Sequence, residues 1–207
     1  MTRFWLLLAL VFVGAFAHAD PCTYDSWDWD KVHKKVVNRK KISKLKSELQ
    51  PEELGNLPGC SVCQEDQVVV RMARVPVFKI CKVLSEKVKR VIQRARDSGF
   101  VFASIVGYRV GRTKGELNRN GLRTQFSNHS FGTAIDFNSE ENGLYDSCIK
   151  WGPKCQLIRG GPYQSEAPRS INRQSILYQG MMSEGFKWGG EINGKQKDFM
   201  HFSLSGL

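Results

Sequence analysis

Six cysteines constrain the fold of this chain more than any other feature, because an even cysteine count in an exported protein indicates disulfide cross-links. They stand at Cys22, Cys60, Cys63, Cys81, Cys148 and Cys155. Cys148 and Cys155 flank a Gly-Pro turn and are expected to pair with each other. The other four allow three connectivities, among which the sequence does not decide.

The spacing Cys60-Ser61-Val62-Cys63 also matches a redox motif. A redox site of that kind needs a thioredoxin-like strand and helix around it, and the neighbouring sequence predicts neither. Structural bridging is therefore favoured. A structural zinc site built from the four unassigned cysteines is a further alternative.

The first 19 residues have the features of a secretory signal peptide. Arg3 precedes an apolar run over residues 4–17, and Ala17-His18-Ala19 provides a small-x-small cleavage pattern. The run is shorter than the roughly 20 residues that a membrane span requires, although an uncleaved anchor is an alternative. No later segment is apolar enough to cross a bilayer. We expect a secreted or periplasmic protein with no membrane span after cleavage.

The chain is strongly basic, with a formal net charge of +11. Residues 1–19 contain one basic residue, Arg3, and no acidic one, so cleavage leaves a net charge of +10. Such a protein is attracted to polyanions, and anionic cell-envelope polymers are candidate partners. Alternatively, the charge serves only solubility. Nucleic acid is not an expected partner, because no aromatic-basic motif or zinc-finger spacing is present. A monomer is expected.

Hydrophobic periodicity predicts an α+β fold. The predicted helices cover residues 27–54, 77–98 and 170–183, and the predicted strands cover residues 100–106, 133–137, 185–188 and 199–203. Residues 109–128 are rich in Gly, Arg and Asn and are predicted to form a loop beside the functional site. These elements predict a small, mainly antiparallel sheet with flanking helices, stabilised by disulfides.

Two histidines after the leader lie in sequences suited to metal binding. His129 is followed by Gly132, Ala134 and Asp136, and the second, His201, follows Asp198 by three residues. A catalytic zinc takes three nitrogen or carboxylate ligands and keeps one position for water. His129, Asp136 and His201 can supply these ligands, and small residues leave space around the metal. Asp198 is then the natural base for the water proton.

The combined pattern Ser-x-His-x-x-Gly-x-Ala-x-Asp over residues 127–136, followed by Asp-x-x-His-Phe over residues 198–202, resembles the D-alanyl-D-alanine peptidase family of zinc enzymes. That family includes vancomycin-resistance dipeptidases and carboxypeptidases and the L-alanyl-D-glutamate endopeptidases of phage endolysins. The resemblance extends from about residue 100 to the C-terminus. It implies a Zn²⁺ cofactor in the cleft of the fold and a peptidoglycan peptide substrate.

The resemblance also implies roles for individual residues. His129, Asp136 and His201 correspond to the zinc ligands, and Asp198 corresponds to the base. Gly107-Tyr108-Arg109 resembles a strand-end motif of the family, in which the arginine stabilises the oxyanion. Ser127, Tyr108 and Trp188 are the predicted substrate contacts.

Two details of the motifs favour the endopeptidase branch, which cleaves the L-Ala–D-Glu bond. The base position holds Asp198 rather than glutamate, and Gly185-Phe186-x-Trp188-Gly189-Gly190 resembles the Gly-Phe-x-Trp-Gly-Gly of that branch. A D,D-carboxypeptidase is the alternative of the same class, and a zinc-retaining binding module is the alternative of another class. The predicted division is a signal peptide (1–19), a basic cysteine-bearing extension packed on the domain (20–75) and a zinc peptidase domain (76–207).

Overall fold

The computed structural model describes residues 20–206, so the predicted signal peptide lies outside the described residues. The strands are β1 (Pro21–Asp30), β2 (Lys35–Leu45), β3 (Gln67–Met72), β4 (Val75–Cys81), β5 (Ile105–Val106), β6 (Val110–Leu117), β7 (Arg123–Phe126), β8 (Ala134–Phe137), β9 (Leu144–Asp146), β10 (Gln156–Arg159), β11 (Lys187–Trp188), β12 (Lys197–Asp198) and β13 (His201–Ser203). The helices are α1 (Ser85–Asp97) and α2 (Ile176–Ser183). Within the described residues, no helix combines the length and apolarity needed to span a membrane.

The basic N-terminal segment is a β-hairpin, so the helix predicted over residues 27–54 is wrong. β1 and β2 pair antiparallel, and the backbone N–H groups of Val32 and His33 cap their turn by donating to Asp30 Oδ1 at 3.0 Å each. A bulge after Ser26 and a left-handed Asn38 (φ 53°) interrupt the alternation of the strands. Because of these irregularities, the apolar residues of the two strands recur at intervals of three or four, as they would in a helix.

A four-stranded sheet in the order β2-β1-β6-β7 joins this hairpin to later parts of the chain. β1 runs parallel to β6 with Ser26 opposite Val110, and β6 pairs antiparallel with β7. The predicted loop over residues 109–128 is therefore wrong, because most of it is the β6–β7 hairpin. The register of this partly buried hairpin is irregular, with shifts between Arg112 and Lys114 and between Lys114 and Leu117.

One disulfide fastens the hairpin to the following loop, and a second fastens that loop to β4. Cys22 bonds to Cys63, and Cys60 bonds to Cys81. Cys60 and Cys63 thus have different partners, which confirms structural bridging and excludes both a redox pair and a cysteine zinc site. Glu65 lies beside Cys22 and Cys63, but two sulfurs joined in a disulfide are not thiolate ligands.

Helix α1 begins later than predicted, because residues 75–81 form β4 and pair with β3. The β-branched Val75, Val77 and Ile80 favour a strand, although their spacing continues the apolar stripe of the helix. The helix buries Val88, Val91, Ile92 and Ala95, and Gly99 follows it with a φ of 93°.

The main hydrophobic core lies between the two helices and an antiparallel sheet in the order β11-β13-β8-β5. The predicted strand over residues 133–137 is present as β8. The strand predicted over residues 100–106 is only Ile105–Val106, and α2 begins at Ile176 instead of residue 170. An α+β class with mostly antiparallel pairing is confirmed, but the strands form four sheets instead of one small sheet.

A three-stranded sheet has the order β10-β9-β12. The predicted disulfide between Cys148 and Cys155 is present and closes the connection between β9 and β10. The predicted boundary between residues 75 and 76 falls within β4, and β1 shares a sheet with β6. The division into an extension and a peptidase domain stays a prediction.

Candidate metal centre

Three elements bring His129, Asp136 and His201 together. His129 lies in a 3₁₀ turn (Asn128–Phe131), Asp136 lies on β8, and His201 lies directly opposite Asp136 on β13. Paired residues of adjacent strands have side chains on the same face and a few ångströms apart. The pairing of β8 with β13 therefore determines two of the three positions.

Gly132 ends the 3₁₀ turn in the left-handed conformation, with a φ of 63°. A Cβ atom at this position would lie 2.0 Å from Gln67 Oε1 and 2.5 Å from the backbone nitrogen of Cys81. The turn that carries His129 can therefore pack against β3 and β4 only with glycine at this position.

The three side chains are buried and converge on one point. His129 Nε2 lies 3.0 Å from Asp136 Oδ1, and His201 Nδ1 lies 2.8 Å from the same oxygen. The three candidate ligand atoms all lie within 4.8 Å of one another. His129 Nδ1 lies 2.7 Å from the Gly107 carbonyl oxygen. Donation to that carbonyl leaves Nε2 with a lone pair directed at the group, which is the usual arrangement of a metal-bound histidine.

Polar atoms without hydrogen-bond partners are concentrated around this group. Within residues 20–206, seven buried side-chain polar atoms have no partner, and four belong to this region: Arg109 Nε, Ser127 Oγ, Asp198 Oδ1 and His201 Nε2. Such atoms are costly in a protein interior unless a ligand, ion or water satisfies them. The donor set of two imidazoles and one carboxylate suits a zinc ion.

The electrostatics favour the protonation states that bind metal. Burial lowers the pKa of His129 to about 4, so its imidazole is neutral at pH 7. Burial alone would raise the pKa of Asp136, but His129 and His201 hold it well below its usual value. A neutral imidazole and an ionised carboxylate are the forms that coordinate a cation.

Asp198 lies beside this group on β12. Burial, followed by the charge of Asp136, raises the pKa of Asp198 to about 7. A carboxyl group that titrates near neutral pH can both accept and return a proton. Gly189 connects the two segments, because its N–H donates to the His201 carbonyl at 2.8 Å and its carbonyl accepts from the Asp198 N–H at 3.0 Å.

Arg109 brings a positive charge to the same group. Its Nη2 lies 3.7 Å from Asp136 Oδ2, and its backbone N–H donates to the His129 carbonyl at 3.1 Å. Burial lowers the pKa of the guanidinium, and Asp136 opposes that change. Arginine stays protonated in proteins, so the group is a fixed cation at this site.

The three predicted substrate contacts have different surroundings. Ser127 is buried two residues before His129, and its hydroxyl lacks a partner among residues 20–206. The Tyr108 hydroxyl donates to the Val62 carbonyl at 2.6 Å, so it supports the N-terminal disulfide region. Trp188 is buried, and its indole N–H donates to the Phe199 carbonyl at 2.8 Å. Ser127 therefore keeps a hydroxyl without a partner close in sequence to His129, whereas the polar atoms of the Tyr108 and Trp188 side chains are occupied by backbone carbonyls.

The contacts of Gly107 and Gly189 at this site were not predicted, and neither was the position of Arg159, whose charge influences Arg109 and Asp198. Both glycines belong to motifs noted in the sequence, so their importance could have been predicted. The contacts of their carbonyl and amide groups, however, depend on how the chain packs. Arg159 lies at the end of β10 in a stretch where no element was predicted. Nothing in the sequence distinguishes it from the other basic residues.

Comparison with known proteins agrees with this geometry. A family model described as D-alanyl-D-alanine carboxypeptidase matches residues 120–204, which include His129, Asp136, Asp198 and His201. No solved structure gives a significant match to the chain. Over residues 120–204, the chain is therefore similar to the D-alanyl-D-alanine carboxypeptidase family.

Proposed function

We propose that this protein is a secreted or periplasmic zinc peptidase that hydrolyses the L-Ala–D-Glu bond of peptidoglycan stem peptides. The observation that carries the proposal is the convergence of His129, Asp136 and His201 beside Asp198 and Arg109. Three disulfides support an extracytoplasmic location, since such bonds persist in oxidising compartments.

In this proposal, His129 Nε2, Asp136 Oδ1 and His201 Nδ1 hold the zinc. When bound, zinc polarises the scissile carbonyl and lowers the pKa of water from 15.7 to about 7. The Gly107 carbonyl keeps His129 in the required tautomer. His129, Asp136 and His201 are buried, and burial strengthens the electrostatic interactions among them.

Asp198 and Arg109 have complementary roles. The Asp198 carboxylate accepts a proton from the attacking water and then donates it to the amine that leaves. The Arg109 guanidinium stabilises negative charge as it develops on the carbonyl oxygen of the substrate. Ser127 Oγ is free to hydrogen-bond the peptide near the metal.

Two observations bear on which peptide bond the protein cleaves. Aspartate at position 198 and the Gly-Phe-x-Trp-Gly-Gly motif support the endopeptidase. The description of the matching family model supports the second candidate, a D,D-carboxypeptidase that removes terminal D-alanine. Anionic envelope polymers are proposed partners because of the net charge, and a monomer is proposed.

The test is mass spectrometry of purified peptidoglycan after incubation with the zinc-loaded protein, with Asp198→Ala as the inactive control. Products that have lost the stem peptide beyond L-alanine, absent from the control, would support the endopeptidase. Loss of terminal D-alanine alone would identify the carboxypeptidase. If the folded, zinc-loaded protein cleaves neither bond, the proposal fails in favour of a non-catalytic zinc-binding module.

A further inference from the structure

Arg159 lies in one cross-strand row with Asp198. Leu144 on β9 pairs with Asp198 of β12 on one side and with Arg159 of β10 on the other. Residues paired across adjacent strands project from the same face of a sheet. The next row, Lys197, Tyr145 and Leu157, belongs to the opposite face. A bulge between Leu157 and Arg159 brings Arg159 into register with Leu144. Arg159 therefore lies in the same row as Asp198, about 10 Å away along the sheet.

Local contacts hold Arg159 in that row. The Cys148–Cys155 disulfide closes the β9–β10 connection, so the hairpin cannot spread at its turn. Beyond Arg159, the Gly161 N–H donates to the Ser139 carbonyl at 2.9 Å. A Cβ atom on Gly161 would lie 1.9 Å from the Glu140 carbonyl oxygen, so only glycine permits this contact. The end of β10 is thus attached to the segment that directly follows β8.

Arg159 is an exposed cation with no ion pair or side-chain hydrogen bond within residues 20–206. Its positive charge nevertheless acts on the site, because it adds to the lowering of the Arg109 pKa by burial and opposes the rise in the pKa of Asp198. Two arginines therefore flank the proposed base. Arg109 Nη2 lies 3.7 Å from Asp136 Oδ2, whereas the guanidinium of Arg159 has no such carboxylate beside it within the described residues.

The substrates considered above place an anion close to Asp198. In the L-Ala–D-Glu bond, the released nitrogen belongs to D-glutamate, whose α-carboxylate is free because the peptide continues through the γ-carboxyl group. In a terminal D-Ala–D-Ala bond, the released nitrogen belongs to the last residue, whose α-carboxylate is also free. In both cases the carboxylate is two bonds from the nitrogen that takes the proton from Asp198.

We propose that Arg159 binds this free α-carboxylate and so makes the enzyme select stem peptides that carry it over those in which it is a carboxamide. This inference rests on the proposed function and names a specificity determinant of the same site. A guanidinium forms two parallel, charge-assisted hydrogen bonds with a carboxylate. A carboxamide is neutral, so it binds a guanidinium more weakly.

The test compares two synthetic stem peptides that differ only in a D-glutamate α-carboxylate or α-carboxamide. We expect the zinc-loaded protein to have a kcat/KM about tenfold or more higher for the carboxylate peptide. Arg159→Gln should remove this preference, mainly by raising KM for the carboxylate peptide, and Arg159→Lys should restore part of it. Lys154→Gln, which removes a charge from the same hairpin, should keep the preference.

Binding of the same peptides to zinc-loaded Asp198→Asn protein, measured by calorimetry, separates this inference from the proposed function. A carboxylate preference that Arg159→Gln abolishes would uphold the role of Arg159 even in a protein without turnover. A preference that survives Arg159→Gln, or an equal loss for both peptides, would overturn it. Failure to hydrolyse either peptide would count against the proposed function alone.

Discussion

At the residue scale, the site depends on backbone groups that orient its side chains. The Gly107 carbonyl selects the tautomer of His129, and Gly189 joins the segments of Asp198 and His201 through two hydrogen bonds. A Cβ atom on Gly189 would lie 2.2 Å from the Asp198 carbonyl oxygen. Glycine is therefore required here because Asp198, the proposed base, and His201, a proposed metal ligand, both approach this short segment.

Replacing Asp198 by asparagine should separate metal binding from turnover. Asparagine preserves the size of the side chain but cannot accept the proton, so we expect kcat to fall by roughly 10²- to 10⁴-fold. Zinc content, measured by elemental analysis of the purified protein, should be unchanged. Asp25→Asn, at an exposed position of β1, is the control and should retain activity. An active Asp198→Asn protein would eliminate Asp198 as the base.

Gly132→Ala should destabilise the protein through the backbone. Alanine is strained at a φ of 63°, and its Cβ would meet Gln67 and the backbone of Cys81. We expect a loss of roughly 1–3 kcal/mol in the free energy of unfolding, measured by denaturant titration. Gly152→Ala is the matched control, because a Cβ atom added at Gly152 would have no neighbouring atom within 4 Å. Equal stability of the two variants would contradict the steric explanation.

At the scale of elements, Glu53 connects the N-terminal hairpin to the turn that follows it. Its carboxylate accepts hydrogen bonds from the Tyr24 hydroxyl, from Lys44 Nζ at 2.5 Å and from the Gln50 N–H at 2.8 Å. These partners span both strands of the hairpin. Burial alone would raise the pKa of Glu53, but the partners outweigh it and hold the pKa below the ordinary value.

The lowered pKa of Glu53 predicts a pH-dependent stability. Because the folded state binds this proton more weakly than the unfolded state, the stabilisation is complete above the ordinary pKa of 4.5 and is lost as pH falls through the lowered folded value. Glu53→Gln should therefore be less stable than the wild type at pH 7. The difference in unfolding free energy, measured by denaturant titration across pH 3–7, should shrink at the acidic end. A difference independent of pH would refute the role of the charge.

At the scale of the whole molecule, the group formed by His129, Asp136 and His201 lies where separate sheets meet. β8 and β13 carry Asp136 and His201, β12 carries Asp198, and the segment before β6 carries Arg109. The disulfide between Cys60 and Cys81 ties the N-terminal loop to β4, and the Tyr108 N–H donates to the Lys79 carbonyl on that strand at 2.7 Å. The N-terminal part thus supports the strand end next to Arg109.

Metal binding should stabilise the entire fold, because the unfolded chain does not hold the three ligands together. Zinc added to chelator-treated protein at 100 times its dissociation constant should contribute about 2.7 kcal/mol. The measurement is the shift of the thermal midpoint in calorimetry. His201→Ala should abolish the shift, and His33→Ala, which removes an exposed histidine, should preserve it. An undiminished shift in His201→Ala would exclude it as a ligand.

Local sequence determined the features that depend on residue type and short spacing. The helical stripe of α1, strand β8 and the Cys148–Cys155 pair were predicted in this way. His129, Asp136 and His201 were predicted as ligands from their motifs, but the meeting of Asp136 with His201 depends on the pairing of β8 with β13. Such features can be predicted because few residue types bind zinc or form disulfides. Cys148 and Cys155 are also only seven residues apart, so each is the nearest available partner of the other.

Tertiary structure decided what depends on the pairing of distant strands. The basic segment was predicted to be helical because its spacing allowed it, yet β1 pairs with β2 and β6, and the Cys22–Cys63 disulfide fixes β1 to the loop. The position of Arg159 likewise follows from its pairing with Leu144, 15 residues away, and not from its neighbours. Strand pairing depends on contacts between residues far apart in sequence, so a local pattern could neither exclude the helix nor locate Arg159.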